Sequence, residues 1–303
     1  MDTRHIQYFM AVYEQLHFTK AAELLGITQP TLSHQIRVLE AELGMPLFDR
    51  IGKQVVATEA GHLLRMHGGK MLHAEQDAKN AISELVAGQR GTVRLGVLPS
   101  DLDFQLVPLF IHFKSQYPNI QLQALSTLNI QEELLNNRVD IGIGLKSTPD
   151  RRLIQIPLRS EPYHLFVNAA SELASRKEIA LHEVEHLPLV MYPKGYLGRN
   201  IVDKICSEQG FQLTTVMETS SATSLLQLVR GGVGVTIQPD SLLREKSLLT
   251  DIVAIPITEH TPQRHLELMY SSERFFSNSH KQLTKWLIDY FNSRNTEKTT
   301  KNG

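Results

Sequence analysis

A chain of 303 residues is too long for one small domain and suits two or three, each able to bury a core without disulfide or metal staples. Hydrophobic residues at 42% and charged residues at 21% are ordinary for a globular protein, no apolar run approaches the roughly 18 residues of a membrane span, and the single cysteine, Cys206, excludes an intrachain disulfide and a cysteine-based metal cluster. Net charge is −1, and residues 1–60 hold five Lys/Arg against seven Asp/Glu, so any affinity for nucleic acid must come from where charge is placed rather than from bulk charge.

The opening residues, MDTRHIQYFM, are amphipathic and lack the charged region, apolar core and small-residue cleavage site of a secretory leader, so a cytoplasmic location is expected. Ile6, Phe9, Met10 and Tyr13 recur at helical spacing and predict a helix over 4–16. Phe18 to Leu25 predicts a second, shorter helix. Thr19 is placed to cap it, Ala21 and Ala22 permit close approach, and Gly26 supplies the left-handed residue that ends it. Thr28-Gln29-Pro30 then opens a third helix, with proline in the first turn where its missing N–H costs nothing. Leu32, Ile36, Leu39 and Leu43 form its apolar stripe and leave Ser33, His34 and Arg37 to face outward. Helix, glycine turn, helix at this spacing is the helix-turn-helix arrangement, whose second helix enters the major groove.

After Gly44-Met45-Pro46 the segment LFDRIGKQVVAT alternates around a glycine and predicts two short strands, a wing with Arg50 and Lys53 near its tip. From Glu59 a 4-3 spacing takes over: Ala60, Leu64, His67, Met71, Ala74, Ala78, Ala81 and Leu85 trace a seam for a partner helix, with one polar exception. Gly68-Gly69 interrupts it, at about 1 kcal/mol each relative to alanine, which leaves room for a kink or a break. Beyond Gly88-Gln89-Arg90-Gly91 the rhythm is strand, helix, strand: TVRLGVL, a helix to about Tyr117, IQLQALS, a helix to about Asn137, then DIGIGL. A second alternating run covers about Tyr163 to Pro256, and HLELMYSS followed by a helix containing Trp286 ends the fold. Such alternation builds a parallel sheet with helices on its faces.

Phe9, FTKAAELL, TQPTLSHQIRVLEAELG, LFDR and TEAG together resemble the LysR-type transcriptional regulators, over roughly the first 65 residues without a gap. RGTVRLGV, VDIGIG and LVRGGVGVTIQP resemble the family's effector domain more loosely. Two departures stand out, the Gly68-Gly69 pair and Gln238, where a second apolar residue commonly precedes proline. The resemblance implies an α/β protein with an N-terminal winged helix-turn-helix, a long linker helix that pairs two subunits, and a two-lobed, periplasmic-binding-protein-like effector domain. In this sequence these fall at 1–58, 59–87 and 91–294. Lobe I takes about 91–162 and 266–294, lobe II about 163–265, and a disordered tail takes 295–303. The expected partners are double-stranded promoter DNA, a small-molecule effector and further copies of the chain, as dimer or tetramer, with no membrane and no cofactor.

By that resemblance Gln29, Ser33 and His34 lie where the family reads base edges, with Pro30 and Thr31 contacting sugar, phosphate or a thymine methyl. Side-chain chemistry agrees, since a glutamine amide pairs bidentately with adenine and Arg37, one turn beyond Ser33, can reach guanine or a phosphate. Arg50 and Lys53 on the wing would neutralise phosphates; Arg50 equally suits a structural pair with Asp49 or Glu59. In the second domain, effector positions are expected in loops at the C-terminal ends of strands, where helix N-termini face a crevice. Ser100, Thr127, the Tyr196 to Gly198 loop, and Thr219 with Ser221 meet that description, and the resemblance favours Ser100 and Thr127. Hydroxyls and amides there suit a small anionic metabolite, although each hydroxyl also suits a helix cap.

A competing enzyme reading rests on HEVEH, His182 to His186, which fits the H-E-x-x-H pattern of zinc peptidases. Leu187-Pro188 ends the helix where a zinc-binding helix would continue, and the longer motif would need glycine at Leu189 and histidine at Tyr192. Of His62, His67 and His73 on the linker, the two that share a face lie nearly three turns apart, too far for one metal. Gly231-Gly232-Val233-Gly234 runs helix then strand, the reverse of a dinucleotide motif. The expectation is therefore a ligand-responsive DNA-binding regulator, not an enzyme, with a constitutive DNA-binding protein as the second alternative.

Overall fold

The computed structural model describes residues 1–51, 54–87, 91–244 and 249–299, in two compact units: Met1–Gly91 with Leu135–Arg138, and Thr92–Leu134 with Val139–Gly303. The first unit holds α1 (Thr3–Gln15), α2 (Phe18–Leu25), α3 (Gln29–Leu43), the antiparallel strands β1 (Phe48–Ile51) and β2 (Gln54–Ala57), and α4 (Glu59–Ala87). The Asp2 side chain caps α1, and α2 starts on His17, whose Nδ1 accepts from the Lys20 N–H; Thr19, the expected cap, already lies inside the helix. Gly26 and Gly44, at φ 65° and 74°, end α2 and α3 in the left-handed conformation. Phe9, Val12, Ala21, Ala22, Leu32, Ile36 and Leu39 meet Leu47 and Phe48 from the wing in one core. Leu43, the last residue of α3, lies on the predicted stripe but is 41% exposed.

The wing is fastened to α3 by Glu40, whose Oε1 accepts from the backbone N–H groups of Leu47 (2.8 Å) and Phe48 (3.3 Å). Thr58 closes the other side, donating to the Pro46 carbonyl and accepting from the Gly61 N–H at the start of α4. Gly61 has no room for a side chain, since a Cβ there would lie 2.3 Å from the Leu47 carbonyl oxygen. α4 is one helix across Gly68-Gly69, without a break. Gly68 lets it lie against α1, where a Cβ would come within 2.9 Å of Ile6 Cγ2. The predicted seam is corrected at its start: Ala60 and Leu64 pack into the winged core of their own chain. Along the helix Leu63, Met66 and Ile82 are exposed apolar residues, as are Ala74 and Ala78 of the predicted seam, and its polar member His67 is exposed too.

The second unit is built on a sheet of strand order β4 (Ile120–Ser126), β3 (Gly91–Val97), β5 (Ile141–Leu145), β12 (Gln263–Ser271), β6 (Leu153–Asn168), β11 (Ile252–Thr258), β7 (Ile179–Ala180), with β10 (Thr236–Pro239) also on β6. β8 (Leu189–Met191) and β9 (Thr215–Glu218) form a parallel pair beside it. β3 and β5 are parallel and β5 is buried at every residue, the pattern of a strand covered on both faces. The 16-residue β6 is the element that periodicity did not reveal. Its first half pairs with β12 and its second half with β10 and β11, so β6 and β12 carry the chain between the two lobes.

Helices α6 (Val107–Gln116), α7 (Ile130–Leu135), α8 (Leu197–Glu208), α9 (Ala222–Arg230) and α10 (Asn278–Thr299) complete the unit. α6 is preceded by the single turn α5 (Pro99–Asp101) and a π-helical segment, Leu102–Leu106. α10 extends through Thr299, where a disordered tail was expected, and residues 300–303 lie outside the described residues. Gly234 lets β10 approach the next loop, since a Cβ would meet the Pro188 carbonyl oxygen at 2.3 Å. Asp140 ties β3 to the region before α10: its carboxylate accepts from the Arg94 backbone N–H at 2.6 Å and from the Arg94 side chain at 2.9 Å, pairs with Arg274, and lies 3.3 Å from His280 Nε2.

Candidate functional site

In the first unit the buried stripe of α3 turns its opposite edge to solvent. Thr28 caps the helix through the Thr31 N–H and Pro30 sits in the first turn, so the N-terminal end is fixed before any ligand arrives. Pro30, Thr31, His34 and Arg37 are exposed and Gln29 is half-buried. Ser33 differs from expectation: it is 5% exposed, and its hydroxyl accepts a 2.7 Å hydrogen bond from Gln29 Nε2. One helical turn separates the two residues, so Ser33 lies beneath Gln29 and holds its amide rather than facing outward. Any base contact by that amide must share or break this bond. Arg50 lies on β1, but its side chain, like all of Lys53, lies outside the described residues.

In the second unit the C-terminal ends of β3, β8 and β10 and the starts of α5, α8 and α9 surround a cavity of about 250 Å³. Four of the predicted residues, Ser100, Tyr196, Gly198 and Ser221, line it. Ser221 also caps α9, accepting from the Ser224 N–H. Thr127 and Thr219 do not line it, because their hydroxyls turn back on their own loops: Thr127 accepts from the Asn129 N–H at 3.1 Å and Thr219 from the Ser221 N–H at 3.4 Å. Leu128 and Ser220, their neighbours, face the cavity instead. Apolar wall comes from Leu98, Leu145, Met191 and Ile237, and aromatic wall from Tyr163 and the stacked pair Tyr192 and Tyr196, ring centres 5.4 Å apart. Tyr192 lies beside Ser100, and burial raises its phenol above the ordinary value; burial likewise pushes Tyr163 up to about 12.

Beneath the cavity is a buried ionic network. Arg264 on β12 faces Glu161 directly across the ladder and donates through Nε at 2.6 Å, while its Nη groups reach Asp101 at 2.5 and 3.2 Å and Ser241 at 3.0 Å. Arg159 pairs with Glu161 at 3.0 Å and Asp240 at 3.4 Å. Burial raises the Asp101 carboxyl above its usual value although Arg264 opposes it. At Glu161 burial acts in the same sense, but Arg264 and Arg159 outweigh it and hold the carboxyl low. Arg199 on α8 is also engaged, with Asp203 at 2.7 Å, the Tyr192 carbonyl at 2.9 Å, Thr215 at 3.0 Å and Glu218 at 3.4 Å.

Two family models match the chain: the bacterial regulatory helix-turn-helix of the lysR family over residues 3–62, and the LysR substrate binding domain over residues 87–292. This chain belongs to the LysR family of transcriptional regulators. It is 31% identical to the HTH-type transcriptional regulator YybE of Bacillus subtilis over 294 residues, 96% of this chain and 99% of that one. It is 32% identical to the HTH-type regulator BenM of Acinetobacter baylyi, over 80% of this chain and 81% of that one. The structure of full-length CbnR with its target DNA shares the fold at 20% identity, with a TM-score of 0.73 over 97% of this chain and 99% of that one. As a LysR-type protein, then, the chain is a DNA-binding transcriptional regulator with a two-lobed effector-binding domain.

Sequence reading of this regulator missed the floor of its cleft: Asp101, Glu161, Arg264 and Asp240 are brought together from four places in the chain. Gln238 carried a legible signal, as a departure from the resemblance, polar where an apolar residue was expected before Pro239. It is 2% exposed and lines the cavity. The expectation of a small anionic ligand meets a lining without a free cation: among the described residues both lining guanidiniums, Arg199 and Arg264, are held by carboxylates. His182 and Glu183 of HEVEH sit on a single 3-10 turn, Leu181–Val184, and Glu183 is occupied by Arg176 at 2.7 Å and by the Ala180 N–H. The α-helical turn a zinc-peptidase motif requires is not formed there. Among the described residues no helix is long and apolar enough to cross a membrane.

Proposed function

We propose that this LysR-type regulator reads a promoter half-site with the N-terminal edge of α3, through Gln29, Pro30, Thr31, His34 and Arg37, with Ser33 orienting Gln29 from beneath. Arg50 and Lys53 on the wing add phosphate contacts. The exposed residues Leu63, Met66, Ala74, Ala78 and Ile82 of α4 support pairing with a second copy, which would set two winged domains on two half-sites. The protein acts in the cytoplasm, as a regulator of bacterial promoters must. A small-molecule effector in the cleft lined by Ser100, Tyr196, Gly198 and Ser221 biases the angle between the lobes and through it the spacing or bend of the DNA.

The observation that carries this reading is the position of the cavity over β6 and β12, the two strands shared by both lobes, with the Asp101–Arg264–Glu161 network joining its wall to those strands. A ligand that pulls the lobes together must work against that joint. Electrophoretic mobility shift and footprinting on the promoter region beside its own gene test the reading. Wild type should protect two half-sites, Gln29→Ala should lose preference between sequences, and Ser221→Trp, which fills the cavity, should bind DNA but respond to no effector. A protein that ignores every such fragment at low ionic strength refutes it.

A further inference from the structure

The charges around the cleft say what kind of effector suits it. Two guanidiniums line the cavity, and each already donates to carboxylates and neighbouring oxygens with most of its N–H groups. The carboxylates around them outnumber them, since Asp203 and Glu218 surround Arg199 while Asp101, Glu161 and Asp240 surround Arg264 and Arg159. Asp103, in the π-helical segment just after α5, lines the same cavity, is exposed, and carries no hydrogen bond or ion pair among the described residues. Gln238 lines it too while 2% exposed; its Nε2 donates to Thr236 Oγ1 at 3.1 Å, and its carbonyl oxygen carries no hydrogen bond among the described residues. The stacked rings of Tyr192 and Tyr196 complete the wall. A free carboxylate, a buried amide oxygen and aromatic faces are what a cation requires, because an ammonium only donates hydrogen bonds and is drawn to the face of a π system.

We propose that the effector is a small amine, cationic or zwitterionic, whose ammonium group is read by Asp103, Gln238 and the tyrosine pair; this rests on the reading of the cavity as the effector site. The hydroxyls of Ser100, Ser220 and Ser221 accommodate one carboxylate of a zwitterion. Among the described lining residues a dicarboxylate or a phosphate ester finds no unpaired cation to replace the water it loses. Gln238 is then a residue that selects among ligands, since a buried amide left without a partner penalises the wrong ligand more than it rewards the right one.

The test uses the full-length protein and three pairs of probes, each pair with one carbon skeleton: phenylalanine with 3-phenylpropionate, phenethylamine with 2-phenylethanol, and butylamine with butyrate. Melting temperature is scanned against each probe up to about 10 mM, and isothermal calorimetry is run on whatever shifts it, a range that covers weak ligands. An amine or zwitterion should bind where the acid of the same skeleton does not. Asp103→Asn should weaken it roughly ten- to hundredfold, the size of one charged hydrogen bond. Gln238→Met should weaken it by about tenfold. Acids binding in preference to amines, with binding lost in Ser221→Trp, would overturn the amine and leave the cleft as the effector site. Binding of either class that survives Ser221→Trp would overturn both readings, and no binding by any probe would overturn the amine.

Discussion

Arg264→Met removes the cation that two buried carboxylates share while keeping most of the side chain's length. Asp101 and Glu161 are 2% and 0% exposed, and Arg264 supplies two hydrogen bonds to the first and one to the second. Glu161 keeps Arg159, but among the described residues Asp101 keeps only a weak 3.4 Å contact from Gln105. Breaking a buried pair by removing one partner costs about 3–5 kcal/mol, because a desolvated charge is left behind. A large part of the stability of an ordinary domain is of that size. Urea unfolding followed by fluorescence is the assay: Trp286, the single tryptophan, packs on His112 and Phe113 in the second unit and reports on it. The sign with pH follows from Asp101. Its carboxyl is already raised by burial in the native protein, and without Arg264 it rises further. A native state that holds a proton more tightly than the unfolded chain gains stability as pH falls, so the deficit of Arg264→Met should shrink from pH 8 toward about pH 5. Adding Asp101→Asn to the variant should return part of the loss at pH 7 and flatten that slope. A deficit under about 1 kcal/mol, or one that widens in acid, would refute the account of the network as a buried charge balance.

Gly61→Ala should destabilise the first unit by about 1–3 kcal/mol and weaken DNA binding, because the new methyl must displace the Leu47 carbonyl and with it the root of the wing; circular dichroism melting and mobility shift would show both. Gln29→Ala should cost about 1–3 kcal/mol at one base pair of each half-site, while Arg37→Ala, if it meets a phosphate, should lower the salt dependence of binding by about one charge at every sequence. Asp140 sits in an environment where burial opposes ionisation but His280, Arg274 and Arg94 outweigh it and hold its carboxyl well below the usual range. Its stabilising contribution is therefore present above about pH 4 and fades as acid protonates it, so the gap between wild type and Asp140→Asn in urea should close below that pH. Cys206 is fully buried on α8, and burial pushes its thiol up to about 12, so a thiol reagent should modify it slowly in the native protein and rapidly in guanidinium; equal rates would contradict its placement.

Local chemistry was enough for much of the first unit. The αL glycines at 26 and 44, the Thr28 cap, Pro30 in the first turn and the stripe of Leu32, Ile36 and Leu39 act over a few residues, so spacing alone located the recognition helix and its polar edge. The alternation after Gly91 located the parallel strands for the same reason. What spacing does not contain is the depth at which a residue on a known helix ends up. Ser33 is buried and Leu43 exposed, the reverse of expectation, because what packs around a helix, and not its own spacing, decides which positions are covered. Ala60 and Leu64 read as a seam for another chain because an apolar repeat does not name its partner, and here the nearest apolar surface belonged to the chain's own wing. In the cleft the limit is starker. Arg264 meets Glu161 across 103 positions and Asp101 across 163, contacts set by the register of β12 on β6 and by the turn that carries Asp101 under the cavity. Sequence by itself pointed to hydroxyl-bearing loops at the strand ends; only the tertiary structure decided which of them line the cavity and that the guanidiniums among them are spent on carboxylates, because charge compensation depends on which groups become neighbours after water has been excluded.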